Sequence, residues 1–142
     1  MRTYLSALAA AVVLSLTAPV PTQAQDVKVI VNAANAVAEL PAGDVASLFL
    51  KRVQKLPGGG AAVPEDQAKN SPVRGAFSQT VLGRPAAVDA YWQRQIFAGG
   101  KLPPAVKASD DDVVAFVKAT PGAIGYVSAG ASVSGVKVVT IK

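Results

Sequence analysis

The sequence predicts a small α/β domain, a short mixed or parallel sheet carrying about four helices in two or three layers. Three observations predict it. Val27-Lys28-Val29-Ile30-Val31 and Val136-Lys137-Val138-Val139-Thr140-Ile141 alternate and are rich in β-branched residues, the mark of half-buried strands. Four other stretches repeat apolar residues every three to four positions, the period of a helix face. Gly- and Pro-rich breaks separate these stretches, so strands and helices alternate along the chain.

The elements follow in order. Asn32-Ala33-Ala34-Asn35 breaks the first strand, and Leu40-Pro41-Ala42-Gly43-Asp44 opens a helix whose apolar face is Val45, Leu48 and Phe49. That helix is expected to run into Lys51-Arg52, cations suited to a helix C-terminus. Lys55 to Gly60 is a turn-rich break, Ala61 to Pro64 is extended, and Glu65 to Asn70 reads as a polar loop. Ser71-Pro72 starts the second helix, with Ser71 as N-cap and Pro72 at the first helical position. Val73, Phe77 and Val81 form its inner face, and Gly83 is expected to end it in the left-handed conformation.

Arg84-Pro85 restarts the chain into a third helix with Val88, Tyr91, Trp92 and Ile96 on its apolar face. Gly99-Gly100 stops it, and Pro103-Pro104 stiffens an extended link. Ser109-Asp110-Asp111-Asp112 caps the fourth helix and places acids where they complement its dipole. Val113, Val114, Phe116 and Val117 point that helix inward; Ala123 to Val127 is a short strand after the Pro121-Gly122 turn. Phe77, Trp92, Phe116 and Ile124 are expected to share one core.

The first residues have a different character. Arg2, an apolar run from Leu5 to about Val20, and Thr22-Gln23-Ala24 form the charged start, apolar middle and small-x-small end of a secretory signal peptide. Residues 1–24 are read as that leader, and 25–142 as one domain left in the periplasm, not membrane-spanning after cleavage. No Cys follows the apolar run, so no lipoprotein anchor is available.

Composition excludes much chemistry. The 142 residues contain no Cys and no His, so no Cys/His metal site, thiolate nucleophile or Ser-His-Asp triad can be built. Asp110-Asp111-Asp112 is explained by capping, since adjacent helical residues point in different directions and cannot share a metal. No paired acid and base emerges for catalysis, and no metal or cofactor is implied. The net charge of +5 is spread along the chain; Lys51-Arg52-x-x-Lys55 is its one cluster, too sparse for a nucleic-acid stripe.

Several segments carry a family resemblance. They are Ser47-Leu48-Phe49-Leu50-Lys51, Tyr91-Trp92, Phe97-x-Gly99-Gly100, Pro103-Pro104, Val114-x-Phe116-Val117 and, most specific, Pro121-Gly122-Ala123-Ile124-Gly125-Tyr126. In order and spacing the set resembles the short bacterial phosphate ABC transporter substrate-binding-like proteins, over roughly Val27 to Val127. The resemblance implies the type II periplasmic binding protein fold. At this length it implies one lobe: a short mixed sheet flanked by about four helices. It also implies a ligand site at Asp66, Asn70, Ser71 and Arg74, where full-length relatives carry Arg-x-Asp-x-Ser-Gly-Thr before a helix.

The departures from that pattern decide the expected function. Ser71 matches the serine, but Pro72-Val73 replace Gly-Thr, no arginine precedes, and Glu65-Asp66 stand nearby. The family's Trp before Gly in the preceding turn is replaced by Leu56-Pro57-Gly58. Pro72 removes an amide donor, and the carboxylates repel a phosphate dianion. Arg74 is expected to pair with Asp66 or Glu65. Trp92 and Tyr91 are expected in the core or at its edge. The sequence therefore points to an exported, non-catalytic solute-binding-like domain with a degraded phosphate loop. Its alternative is a periplasmic protein-interaction or sensory module. The partner is a small oxyanion in the first case and a periplasmic or membrane protein in the second.

Overall fold

The computed structural model describes residues 26–57 and 60–142; the leader assigned to 1–24 lies outside them. Six strands form one mixed sheet: β1 (Val27–Asn32), β2 (Glu39–Leu40), β3 (Val63–Gln67), β4 (Ala105–Lys107), β5 (Ala123–Ser128) and β6 (Val136–Ile141). Among the described residues four α-helices accompany them: α1 (Ala42–Phe49), α2 (Pro72–Phe77), α3 (Pro85–Phe97) and α4 (Asp110–Ala119). A π-helical turn, Ser78–Leu82, continues α2.

The strand order is β2-β6-β1-β5-β3-β4. β1 runs antiparallel to both neighbours, with Val29 opposite Tyr126 on one side and Val139 on the other. β3 is parallel to β5 and β4, and β2 is parallel to β6.

Strand alternation sorts the core onto two faces of the sheet. Val29, Val31, Ile124, Tyr126 and Val139 face α1 and α2, packing with Val45, Leu48, Phe49, Val73 and Phe77. Ile30, Ala123 and Val127 face α4 through Val113 and Val117. Helices on both sides of one sheet make three layers. Leu50, Val88 and Trp92 form a satellite cluster under α3.

Several expectations are corrected here. Phe77 and Ile124 share a core, but Trp92 belongs to the satellite cluster, and Phe116 is only partly buried on the opposite face. Phe116 lies under the Lys107 ammonium, 4.7 Å from the ring centroid, so a cation covers an aromatic at the rim. Ile96, placed on the apolar stripe of α3, is half exposed because that helix leaves the core near its end. α1 stops at Phe49, and Lys51 turns the chain with φ 55° instead of extending the helix.

Glu65 to Gln67 is strand, not loop, and both Glu65 and Gln67 are buried. The polarity of Gln67 reflects internal hydrogen bonding, not contact with water. Gly83 has positive φ (103°) but an extended ψ (−159°), so it does not close a left-handed cap. Its N–H instead donates to the Ser78 carbonyl at 2.6 Å, the wider spacing of a π-turn. Two short edge strands, β2 and β4, occupy stretches expected to open a helix and to form a stiff link.

Candidate functional site

The residues proposed for ligand binding meet where β3 passes into α2. Strand alternation turns Asp66 to the face that carries Tyr126, and the first turn of α2 brings Arg74 beside it. Asp66 Oδ1 accepts a hydrogen bond from the Gln67 N–H (2.8 Å) and another from the Tyr126 hydroxyl. Asp66 Oδ2 pairs with Arg74 Nε at 3.3 Å, both side chains being 15% exposed. The carboxylate is thus met by three donors from three elements. Burial, together with the adjacent Asp66 charge and hydrogen bond, pushes the Tyr126 phenol well above its ordinary range, so it stays a donor.

Gln67 extends the network to the other side. Its Nε2 donates to Asp110 Oδ1 (2.8 Å) and to the Tyr126 carbonyl (2.9 Å), while its Oε1 accepts from Ser71 Oγ (3.2 Å). Asp110 also accepts from the Ser128 N–H (3.2 Å) and Ser128 Oγ (2.5 Å). Asp110 therefore ties α4 to β3 and β5, beyond complementing the helix dipole. Ser109 does cap α4, accepting from the Asp112 N–H at 3.2 Å.

Three of the four expected ligand residues, Asp66, Ser71 and Arg74, lie in this network; Asn70 is exposed beside it. Ser71 stands at the N-cap position without a side-chain cap bond, because its hydroxyl is committed to Gln67. Sequence reasoning missed Gln67, Tyr126, Asp110 and Ser128 as members. Tyr126 was in view as the end of the most specific motif, but 60 residues separate it from Asp66 and spacing carries no pairing information.

α2 is six residues long and begins with Pro72, so its N-terminus offers few free amides. A cleft of about 200 Å³ beside Arg74 is lined also by Lys69, Ser78 and Asp89, and Lys69 and Asp89 already pair at 3.6 Å. A larger cavity of about 470 Å³, lined by Asn32, Asn35, Val63 and Gly122 among others, lies at the opposite end of β3.

Glu65 stands apart on the other face of β3. It is 2% exposed, and its Oε2 has no hydrogen-bond partner among the described residues. Burial raises its pKa above 4.5; Lys107 and Lys51 oppose the rise and Asp66 adds to it. The folded chain therefore holds this proton more tightly than the unfolded chain. Glu65 favours folding fully below about pH 4.5, and that contribution fades as pH climbs through the raised folded value. Glu65→Gln, neutral at every pH, is expected to gain thermal stability over wild type progressively as pH rises from about 4.5 through the raised folded value. Melting curves across that range check it; a constant difference would place the titration elsewhere.

No family model and no curated protein matches this sequence. Solved structures do resemble it. A candidate phosphate ABC transporter substrate-binding protein from Clostridium perfringens, with bound phosphate, superposes with TM-score 0.67 at 18% identity, over 82% of this chain and 45% of its own. An ABC-type phosphate transport receptor from Vibrio cholerae gives 0.65 at 14% identity, over 82% and 46%. PstS from Borrelia burgdorferi gives 0.65 at 13%, over 83% and 47%. The chain spans less than half the length of these proteins. At such identities the likeness concerns fold: a mixed six-stranded sheet with helices on both faces, similar to one lobe of the phosphate ABC transporter substrate-binding proteins.

Proposed function

We propose that residues 25–142 are a single, exported, non-catalytic domain related to solute-binding proteins, whose phosphate loop no longer serves phosphate. The observation that carries this reading is the pairing of Arg74 with Asp66 at the head of a helix begun by Pro72. Proteins of this fold include one crystallised with phosphate, which supports a binding ancestry. Here the one arginine at the junction faces an internal carboxylate, and the serine hydroxyl is spent on Gln67. A charge-assisted hydrogen bond is worth about 1.5–3 kcal/mol, so losing two weakens a micromolar site by about a hundredfold or more.

Calorimetric titration with phosphate at low salt tests the reading. Millimolar or weaker affinity is expected; a micromolar isotherm abolished by Ser71→Ala would return the protein to phosphate transport. Export is proposed from the Arg2 to Ala24 pattern, with the periplasm as destination. Intact mass of the secreted protein is expected to place the first residue at Gln25, and a cytoplasmic chain retaining Leu5 to Ala18 contradicts it. A second reading, a protein-interaction or sensory module, draws on Phe97, Leu102 and Val106. These are 89%, 66% and 59% exposed along the stretch that leads from α3 to the edge strand β4. Apolar exposure of this kind is what a protein partner covers.

A further inference from the structure

We propose that Asp66 is a tethered ligand: its carboxylate fills a ready-made site for a small carboxylate, built by the Gln67 N–H, the Tyr126 hydroxyl and the Arg74 guanidinium. An ion pair alone needs one cation. Here a backbone amide and a buried phenol also converge, two on Oδ1 and the guanidinium on Oδ2. They come from β3, β5 and α2, so the sheet fixes the amide and the phenol, and the helix fixes the backbone from which Arg74 reaches them. Tyr126 is fixed by stacking on Phe77, 3.9 Å between centroids and 8° between planes. Its hydroxyl oxygen accepts from the Gln67 N–H at 3.1 Å. Positions this well constrained and largely screened from water suit an anion.

A carboxylate carried on the neighbouring backbone has an effective concentration no free anion matches, so the wild-type site stays self-occupied. Truncating Asp66 at Cβ leaves the donors and vacates the volume of one carboxylate. That volume and a two-oxygen acceptor pattern select formate or acetate over tetrahedral phosphate. The inference takes from the functional reading only the position of the site.

Thermal melting of wild type, Asp66→Ala, Asp66→Asn and Asp66→Ala/Arg74→Met, in formate, acetate, phosphate or chloride at matched ionic strength, tests it. Asp66→Ala is expected to melt below wild type and to recover saturably with formate, by about 4–6 °C at a tenfold excess over Kd. Acetate should act similarly and phosphate less. Wild type and Asp66→Asn should show no formate response, since a side chain fills the site in both. The double variant should show none because its cation is gone. If Asp66→Ala is unfolded at room temperature, recovery of its circular dichroism with formate is read instead. Absence of any formate-specific recovery in Asp66→Ala, or an equal response in the double variant or in wild type, overturns the proposal. A micromolar phosphate isotherm for wild type would sink the functional reading through a different measurement, one in which Asp66 is left intact.

Discussion

Replacing Phe77 by Ala is expected to remove about 3–5 kcal/mol of stability, the cost of emptying a fully enclosed aromatic site. Phe77 has no exposed surface, stacks on Tyr126 and meets the edge of Phe49 at 4.7 Å. It joins α2 to α1 and the sheet, so its loss leaves a void lined by three elements. In a domain of this size that is a large share of the total, and the melting temperature should fall by about 10–20 °C. Phe116→Ala provides the contrast. Phe116 is half-buried beneath Lys107 at the rim, and its removal should cost about 1 kcal/mol. Equal losses in the two variants would contradict the placement of Phe116 at the rim.

Gly122→Ala should be damaging for a backbone reason. Gly122 has φ 82°, and a Cβ there would stand 2.2 Å from the Ala61 carbonyl oxygen. The left-handed conformation costs a side chain about 1–2 kcal/mol, and the clash adds about 1–3 kcal/mol because it involves main chain. The Gly122 carbonyl also accepts from the Val63 N–H at 2.9 Å, so relief by movement loosens the pairing of β3 with β5. Urea midpoints for Gly122→Ala and Gly130→Ala check this. Gly130, whose added Cβ meets nothing within 4 Å, should tolerate the change within about 0.5 kcal/mol. Comparable midpoints would show that the start of β3 yields freely.

These two glycine environments show how far the sequence can be read. Pro121-Gly122 is legible as a turn, but the Ala61 carbonyl that excludes a Cβ there comes from a distant part of the chain. β1 is legible as a run of β-branched residues, buried on both faces, and β6 because its alternation survives. The four helices are legible from their stripes, although α2 yields to a π-turn after Phe77 that the spacing of Val73, Phe77 and Val81 does not announce.

β3 was hidden by its composition. Glu65, Asp66 and Gln67 look like solvent-facing residues; contacts with Tyr126, Asp110 and Arg74 make Asp66 and Gln67 interior ones, and Glu65 is buried on the opposite face. β2 and β4, at two and three residues, are shorter than any detectable period. At the site, the Asp66–Arg74 pair was within reach because eight positions of strand, loop and helix turn can fold back locally. Tyr126 and Asp110 were out of reach, because the sheet order alone decides that β5 lies beside β3.

That order also governs when the molecule can begin to fold. β1 borrows both of its hydrogen-bonded neighbours from the far end of the chain: β5 starts at Ala123 and β6 at Val136. During synthesis the first strand therefore has no partner until β5 and β6 have been made, and until then α1 and α2 have no complete surface to settle on. Ordering is deferred until β5 and β6 have been made and is dominated by distant pairings, which slows it relative to a helical protein of equal length. A fragment ending before Ala123 should show no cooperative melting at all, whatever helices its sequence favours.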